Sequence, residues 1–191
     1  MTKVMILGAH GAMAQLLTKR LLAETADDLI LFLRDAKRLA QFANQPRITL
    51  VDGDVKDTAT LVKAMADADI IYSNLGGRDL ADQMTHVLAA MHETGKPRLI
   101  YISALGARHE VPGKFGDWNE QAIAAVLPGF RATSQLVDES DISYTEIRPA
   151  WLTDYDEVDY EETTVAEGFP GTEVSRLSVV DFAFKVIQDP S

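Results

Sequence analysis

The stretch Gly8-Ala9-His10-Gly11-Ala12-Met13-Ala14 has the spacing G-x-x-G-x-x-A. The chemistry open to such residues is phosphate binding by backbone. Glycine at position 8 permits a tight turn, and the absent side chain at Gly11 lets an anion approach the amides. The small Ala14 lets a following helix pack closely. The free amides and positive end of that helix then hold a pyrophosphate. The context the motif needs is present. An apolar run, Lys3 to Leu7, precedes it, and Ala12, Met13, Leu16, Leu17, Leu21 and Leu22 recur after it at helical spacing. The stretch therefore reads as a dinucleotide site, with Gly8, His10, Gly11, Ala12 and Met13 around the phosphates. A small-residue turn without a ligand is the plain alternative.

The choice of dinucleotide is made at the end of the next apolar run, Leu29 to Leu33. An acid there pairs with the ribose hydroxyls of NAD. Here the chain continues Arg34-Asp35-Ala36-Lys37-Arg38. Three cations in a chain of net charge −11 suit the 2′-phosphate of NADP. A charge-assisted hydrogen bond is worth about 1.5–3 kcal/mol, which favours NADP over NAD by roughly one to two orders of magnitude. Asp35 reads either as a ribose partner or as the cap of the short helix that follows. Lys37 and Arg38 also fit a plain solvated helix face.

Other reactive residues are sparse. The chain has no cysteine, so disulfides, thiolate metal sites and a cysteine nucleophile are excluded. His86 and His92 lie six residues apart, without the i, i+4 spacing of a zinc pair, and no metal site is expected. His109 reads as a surface histidine or a proton donor.

The elements that must position these residues alternate for most of the chain. Compact apolar runs at Lys3–Leu7, Leu29–Leu33, Ile48–Val51, Asp69–Ser73, Arg98–Ser103 and Ile142–Arg148 read as strands. Helices are expected from the glycine turn, after Asp35 (with Leu39 and Phe42 inward), and from Asp57 or Thr58. Further helices span Asp79 to Thr94, ended by Gly95 with Pro97 barring continuation, then about Asn119 to Glu139, interrupted at Pro128 and Gly129, and about Ser178 to Gln188. Strands apolar on both sides and connections too long for hairpins point to βαβ crossovers. The expected fold is α/β, a doubly wound parallel sheet of the Rossmann kind.

Composition sets outer bounds. The chain has 191 residues, 47% hydrophobic and 25% charged, and at ~150 residues per domain a single domain, residues 1–191, is expected. Residues from about 150 onward would form a small lobe on the substrate side, with a shallow pocket. The 18 basic against 29 acidic residues disfavour nucleic acid as a partner. No apolar stretch approaches the ~18 residues of a membrane span, and no signal-peptide pattern follows Met1, so a soluble cytoplasmic protein is expected.

With these residues in view, the sequence resembles the short-chain dehydrogenase/reductase superfamily, and within it the atypical, NmrA-like NAD(P)-binding branch. The resemblance covers nearly the whole chain. It rests on the glycine turn, on Arg34, on Gly53-Asp54-Val55-Lys56-Asp57 and Asn74-Leu75-Gly76-Gly77, and on Ile102-Ser103-Ala104. Ser143-Tyr144-Thr145-Glu146-Ile147-Arg148-Pro149 and Gly171-Thr172-Glu173-Val174-Ser175-Arg176 complete it. It implies that Asp54 and Val55 contact the adenine, and that Leu75, Gly76, Gly77, Ser103 and Pro149 line the cofactor.

The resemblance breaks at the reaction. Reductases of the superfamily use a Tyr-x-x-x-Lys pair after the fifth strand, because a tyrosine of pKa near 10 needs a nearby cation to give up its proton at neutral pH. Residues 119–133 contain neither a tyrosine nor a lysine, and Phe130-Arg131-Ala132 stands where the pair is expected. Ser103 keeps the position of the family's catalytic serine, although a strand-end hydroxyl bonded to backbone explains it as well. Trp151 to Glu162 reads WLTDYDEVDYEE, an acidic segment expected to rim the pocket and repel anions. Tyr155 or Tyr160 would be its proton donor; an acidic solvated loop or a partner-binding edge are the other readings. Two functions follow. One is an NADP-dependent oxidoreductase passing hydride to a small quinone or carbonyl substrate. The other is a non-catalytic NADP(H) sensor acting through a protein partner. A homo-oligomer is compatible with either.

Overall fold

A computed structural model describes residues 1–95 and 98–189. Eight strands and six helices follow one another among these residues. They are β1 (Lys3–Leu7), α1 (Ala12–Glu24), β2 (Asp28–Leu33), β3 (Ile48–Asp52), α2 (Thr58–Met65), β4 (Ile70–Ser73), α3 (Leu80–Thr94) and β5 (Arg98–Ile102). Then come α4 (Gly113–Ala122), α5 (Leu127–Asp138), β6 (Ser143–Ile147), β7 (Trp151–Thr153), β8 (Glu173–Ser175) and α6 (Arg176–Gln188). A 3-10 segment, Ala36–Phe42, joins β2 to β3 and turns Leu39 and Phe42 into the core.

Six strands form one parallel sheet in the order β3-β2-β1-β4-β5-β6. The chain winds one way from β1 to β3 and the other way from β4 to β6, so the order reverses between β1 and β4. That is the doubly wound arrangement, and its crevice opens at the carboxyl ends of those two strands. Each face of the sheet carries its own apolar layer. Val4, Ile6, Leu29, Leu31 and Ile100 pack with α1 and α6 on one side, and Met5, Leu7, Phe32, Ile71 and Leu99 pack with α2, α3 and α5 on the other. Alternate residues of each strand thus serve opposite cores, which is why the strands read as continuous apolar runs rather than alternating ones.

The differences from the sequence reading have local causes. The helical zone expected from Asn119 is two helices, and the first starts at Gly113. Asn119 is buried inside α4 because its amide is hydrogen-bonded at both ends, to Leu105 O at 2.9 Å and Trp151 Nε1 at 3.0 Å. Pro128 sits in the first turn of α5, where no amide is needed, and so opens a helix rather than interrupting one. Gly95 ends α3 in the left-handed region, φ 64°, as expected; Pro97 lies outside the described residues. Strands β7 and β8, three residues each, pair parallel beyond the main sheet and were not legible in the sequence. Among the described residues no helix is long and apolar enough to cross a membrane.

Candidate functional site

The switch-point crevice is built by the glycine turn and the end of β4. Gly8 has φ 69°, and a Cβ there would lie 2.8 Å from the carbonyl oxygen of Asn74. At Gly11 a Cβ would lie 2.2 Å from Asn74 Nδ2. Neither position accepts a side chain as the crevice stands. Gly11 is also the N-cap of α1, with no side-chain cap and no acid in the first turn. The amides of residues 12–14 therefore have no acceptor within the helix, and its positive end is uncompensated. Asn74 Oδ1 is buried beside them without a partner. The free amides and the uncompensated helix end suit this notch to an anion, while the Asn74 oxygen is an acceptor left for a donor.

A cavity of about 360 Å³ opens from this notch. Its walls include Gly8, His10, Gly11, Arg34, Asp54, Val55, Leu75 and Gly76, all expected from sequence. Phe32, Leu33, Arg38, Gly53, Lys56, Asn74, Asp79 and Gln83 complete them. Of the three cations after β2, Arg34 and Arg38 line the cavity and Lys37 does not. Arg38 Nη2 lies 2.7 Å from His10 Nδ1, and because a guanidinium only donates, His10 Nδ1 is the acceptor and its proton sits on Nε2. Lys56 is clamped by Asp79 and Asp82 at 2.7 and 2.8 Å, closing the far wall between α2 and α3. Ala12 is exposed in the first turn of α1, Met13 is in the core, and Gly77, φ 108°, follows the β4 loop outside the cavity lining.

Asp35 does not cap the segment that follows it, contrary to one sequence expectation. It stands at the N-cap position of the 3-10 segment, but its backbone is left-handed, φ 59°, and its side chain makes no cap bond. The cap comes from Asp52 at the end of β3, whose two carboxylate oxygens accept the amides of Asp35 and Ala36 at 3.1 and 3.0 Å. Sheet register places Asp52 opposite Leu33, so the effect was invisible along the sequence. Asp54 likewise has a local duty, since its Oδ1 accepts the Lys56 amide at 3.0 Å.

A second cavity of about 300 Å³ runs along β6 and past its end. Pro149 and Tyr160 lie in its wall with Phe169, Pro170, Val174 and Phe182. So do the carboxylates Glu110, Glu146, Asp159, Glu161, Glu162 and Glu173. Glu146 and Glu110 are each 3% exposed in their side chains and are paired. Glu146 accepts Ser134 Oγ at 2.6 Å, Arg108 Nε at 2.7 Å and Arg148 Nη1 at 3.2 Å, while Glu110 faces Arg148 Nε at 3.2 Å. Burial alone would raise the Glu146 pKa; the Ser134 hydroxyl and the Arg108 guanidinium reverse that and hold it below the usual range. Ser103, 4% exposed, follows β5 beside this cluster, and its buried Oγ has no hydrogen-bond partner among the described residues.

The candidate proton donors are placed apart. Tyr155 is 58% exposed. Tyr160 donates its hydroxyl to Asp181 at 2.7 Å and accepts from Lys185 at 2.8 Å, so it fastens the acidic segment to α6. Its pKa is raised, by burial first and then by Asp181. Arg131 is held by Gly106 O and Glu120, and His109 is exposed with φ 57°. Among the described residues no three metal-ligating side chains converge.

Comparison with known proteins gives one consistent picture. The profile of a family described as NAD(P)H-binding matches residues 8–190. A Rossmann-fold NAD(P)-binding family protein from Shigella flexneri is 35% identical with a TM-score of 0.83, and the match covers 100% of this chain and 88% of that one. A short-chain dehydrogenase/reductase (wide type) from Veillonella parvula DSM 2008, solved in complex with NADP, is 27% identical with a TM-score of 0.93 and the same coverage. Phenylcoumaran benzylic ether reductase IRL1 of Ginkgo biloba is 29% identical over 100 residues, 49% of this chain and 32% of that protein. The chain spans about a third of the length of the first curated relatives it matches.

Proposed function

The chain belongs to the NAD(P)H-binding family, and on that premise we propose that it is an NADP(H)-dependent reductase of the atypical short-chain class acting on a small quinone or carbonyl. The observation that carries this reading is the crevice at the sheet's switch point, closed to side chains at Gly8 and Gly11 and flanked by Arg34 and Arg38. The residues fit the group. Gly8, Gly11 and the amides of Ala12 and Met13 would hold the pyrophosphate, and Arg34 and Arg38 the 2′-phosphate. Asp54 and Val55 would meet the adenine, with Leu75, Gly76 and Gly77 along the middle. Ser103 and Pro149, at the ends of β5 and β6, would bound the far side. Three strand spacings separate β1 from β6, roughly 14 Å, so a ligand reaching both must be elongated. When bound, the nicotinamide supplies the hydride.

The protein's own part is to orient the reactants and limit water. No Tyr-x-x-x-Lys pair is available, and Tyr160 is committed to Asp181 and Lys185. A quinone suits such a site, because its reduced form is a weak base that water can protonate. The same absence supports a second reading, a cofactor-binding sensor without turnover, in which the acidic segment meets a protein partner. Calorimetric titration with NADPH and NADH side by side, followed by NADPH oxidation over a quinone panel, tests both. Binding with turnover supports the reductase; binding without turnover supports the sensor; absence of binding refutes both.

A further inference from the structure

The chain has two tryptophans, and the fold brings them together. The rings of Trp118 on α4 and Trp151 on β7 have centroids 4.8 Å apart, and Phe115 stacks on Trp118 at 5.7 Å with 20° between planes. Such rings ordinarily supply much of a core's buried area. Here Trp118 is 49% and Trp151 37% exposed. Trp151 is nevertheless fixed, and Trp118 packs against it. Trp151 Nε1 donates to Asn119 Oδ1, and Asn119 Nδ2 donates to Leu105 O. Asn119 is 1% exposed, so one buried amide locks α4, β7 and the loop after β5 into a single unit. Its place is specific. α4 follows β5 and β7 follows β6, so the array stands at the carboxyl edge of the sheet, on the side away from Arg34 and Arg38.

We propose that Phe115, Trp118 and Trp151 form a stacking platform for the flat aromatic ring of a neutral substrate, such as a quinone. The inference rests on the reductase reading and narrows it: planar conjugated acceptors are preferred over aliphatic carbonyls. Such a surface gains from an offset-stacked ring at reduced entropic cost, because Trp151 is already held by Asn119 and the other two rings pack in line with it. The carboxylates of the neighbouring cavity set the charge, disfavouring an anionic ring.

The test uses the full chain labelled with ¹⁵N, with and without saturating NADP⁺, which cannot reduce the probe. The two indole N–H signals are followed during titration with 1,4-naphthoquinone and, separately, with cyclohexanone. Both signals should move along one saturating curve with naphthoquinone and stay in place with cyclohexanone. Trp118→Leu should weaken naphthoquinone roughly 3- to 10-fold, raise its KM in NADPH oxidation by a similar factor, and leave NADPH affinity unchanged. Trp118→Phe should restore most of the loss. Silent indoles beside a working naphthoquinone turnover would overturn the platform and leave the reductase standing. Equal shifts with cyclohexanone would also overturn it. Signals that move on protein dilution and not with probe would assign the face to contact between copies of the chain. Failure of the reductase reading is seen separately, as absent NADPH binding by calorimetry or as NADPH binding without oxidation across the quinone panel.

Discussion

Replacing Arg34 by alanine should separate the two nicotinamide cofactors. Arg34 is exposed in the wall of the cradle, and its guanidinium has no hydrogen-bond or ion-pair partner among the described residues. The substitution therefore removes no internal contact, and stability should stay within about 0.5 kcal/mol. On the proposed reading, what is removed is the cation that would meet the 2′-phosphate. A charge-assisted hydrogen bond is worth about 1.5–3 kcal/mol, a factor of roughly 10 to 150. Exposure and a Debye length near 8 Å at 0.15 M salt pull the effect toward the lower end, about 10- to 30-fold. Arg38, supported by His10 at 2.7 Å, would remain to hold part of that phosphate. Calorimetry at 50 and 150 mM salt should show NADPH weakened by that factor, NADH within about twofold of wild type, and a larger ratio at low salt. Arg34→Ala combined with Arg38→Ala should bring the two cofactors close to equal affinity. Equal losses for NADPH and NADH in the single variant would refute the 2′-phosphate assignment.

Three further outcomes are expected. Gly11→Val places side-chain carbon against Asn74 at a site where even a Cβ would be 2.2 Å from Nδ2, and should abolish binding of both cofactors while circular dichroism shows the fold retained; unchanged affinity would refute the crevice. Asp181 is 7% exposed, and although burial opposes it, Lys185, Tyr160 and Arg20 hold its pKa at about 2, against 3.8 unperturbed. A depressed carboxyl stabilises the fold above its unfolded pKa and loses that contribution as pH falls, here about 2 kcal/mol between pH 4 and 2. Asp181→Asn should thus lower Tm by about 4–8 °C at pH 7, with the gap closing over that window; a gap constant with pH would exclude this role. Finally, 1,4-naphthoquinone-2-sulfonate should have a higher KM than 1,4-naphthoquinone. Four cavity carboxylates (Asp159, Glu161, Glu162, Glu173), each taken at ~8 Å in water, give roughly 2 kcal/mol of repulsion, screened to about threefold in KM at 0.15 M salt; a ratio that does not grow at low salt would remove the carboxylates from the argument.

The sequence by itself determined the parts governed by local chemistry. Apolar runs at strand length, helical recurrence between them and a glycine turn are short-range patterns, and they located the six strands of the sheet within one or two residues. The positions of Gly8 and Gly11 at the crevice were legible because a tight turn and a close approach to Asn74 are backbone requirements, and that of Arg34 because it directly follows β2. Tertiary structure decided what depends on pairing between distant segments. Asn74 faces Gly11 because sheet order sets β4 beside β1, and Asp52 caps Asp35 because β3 lies in register with β2. Glu146 meets Arg108 and Ser134, and Trp118 meets Trp151, across connections whose length says nothing about contact. Tyr160 shows the same limit: its composition suggested a proton donor, and only the packing of its segment on α6 committed its hydroxyl to Asp181 and Lys185. Side-chain type fixes what a residue can do, but its partners are set by the free energy of the whole packed sheet, which no window of sequence contains.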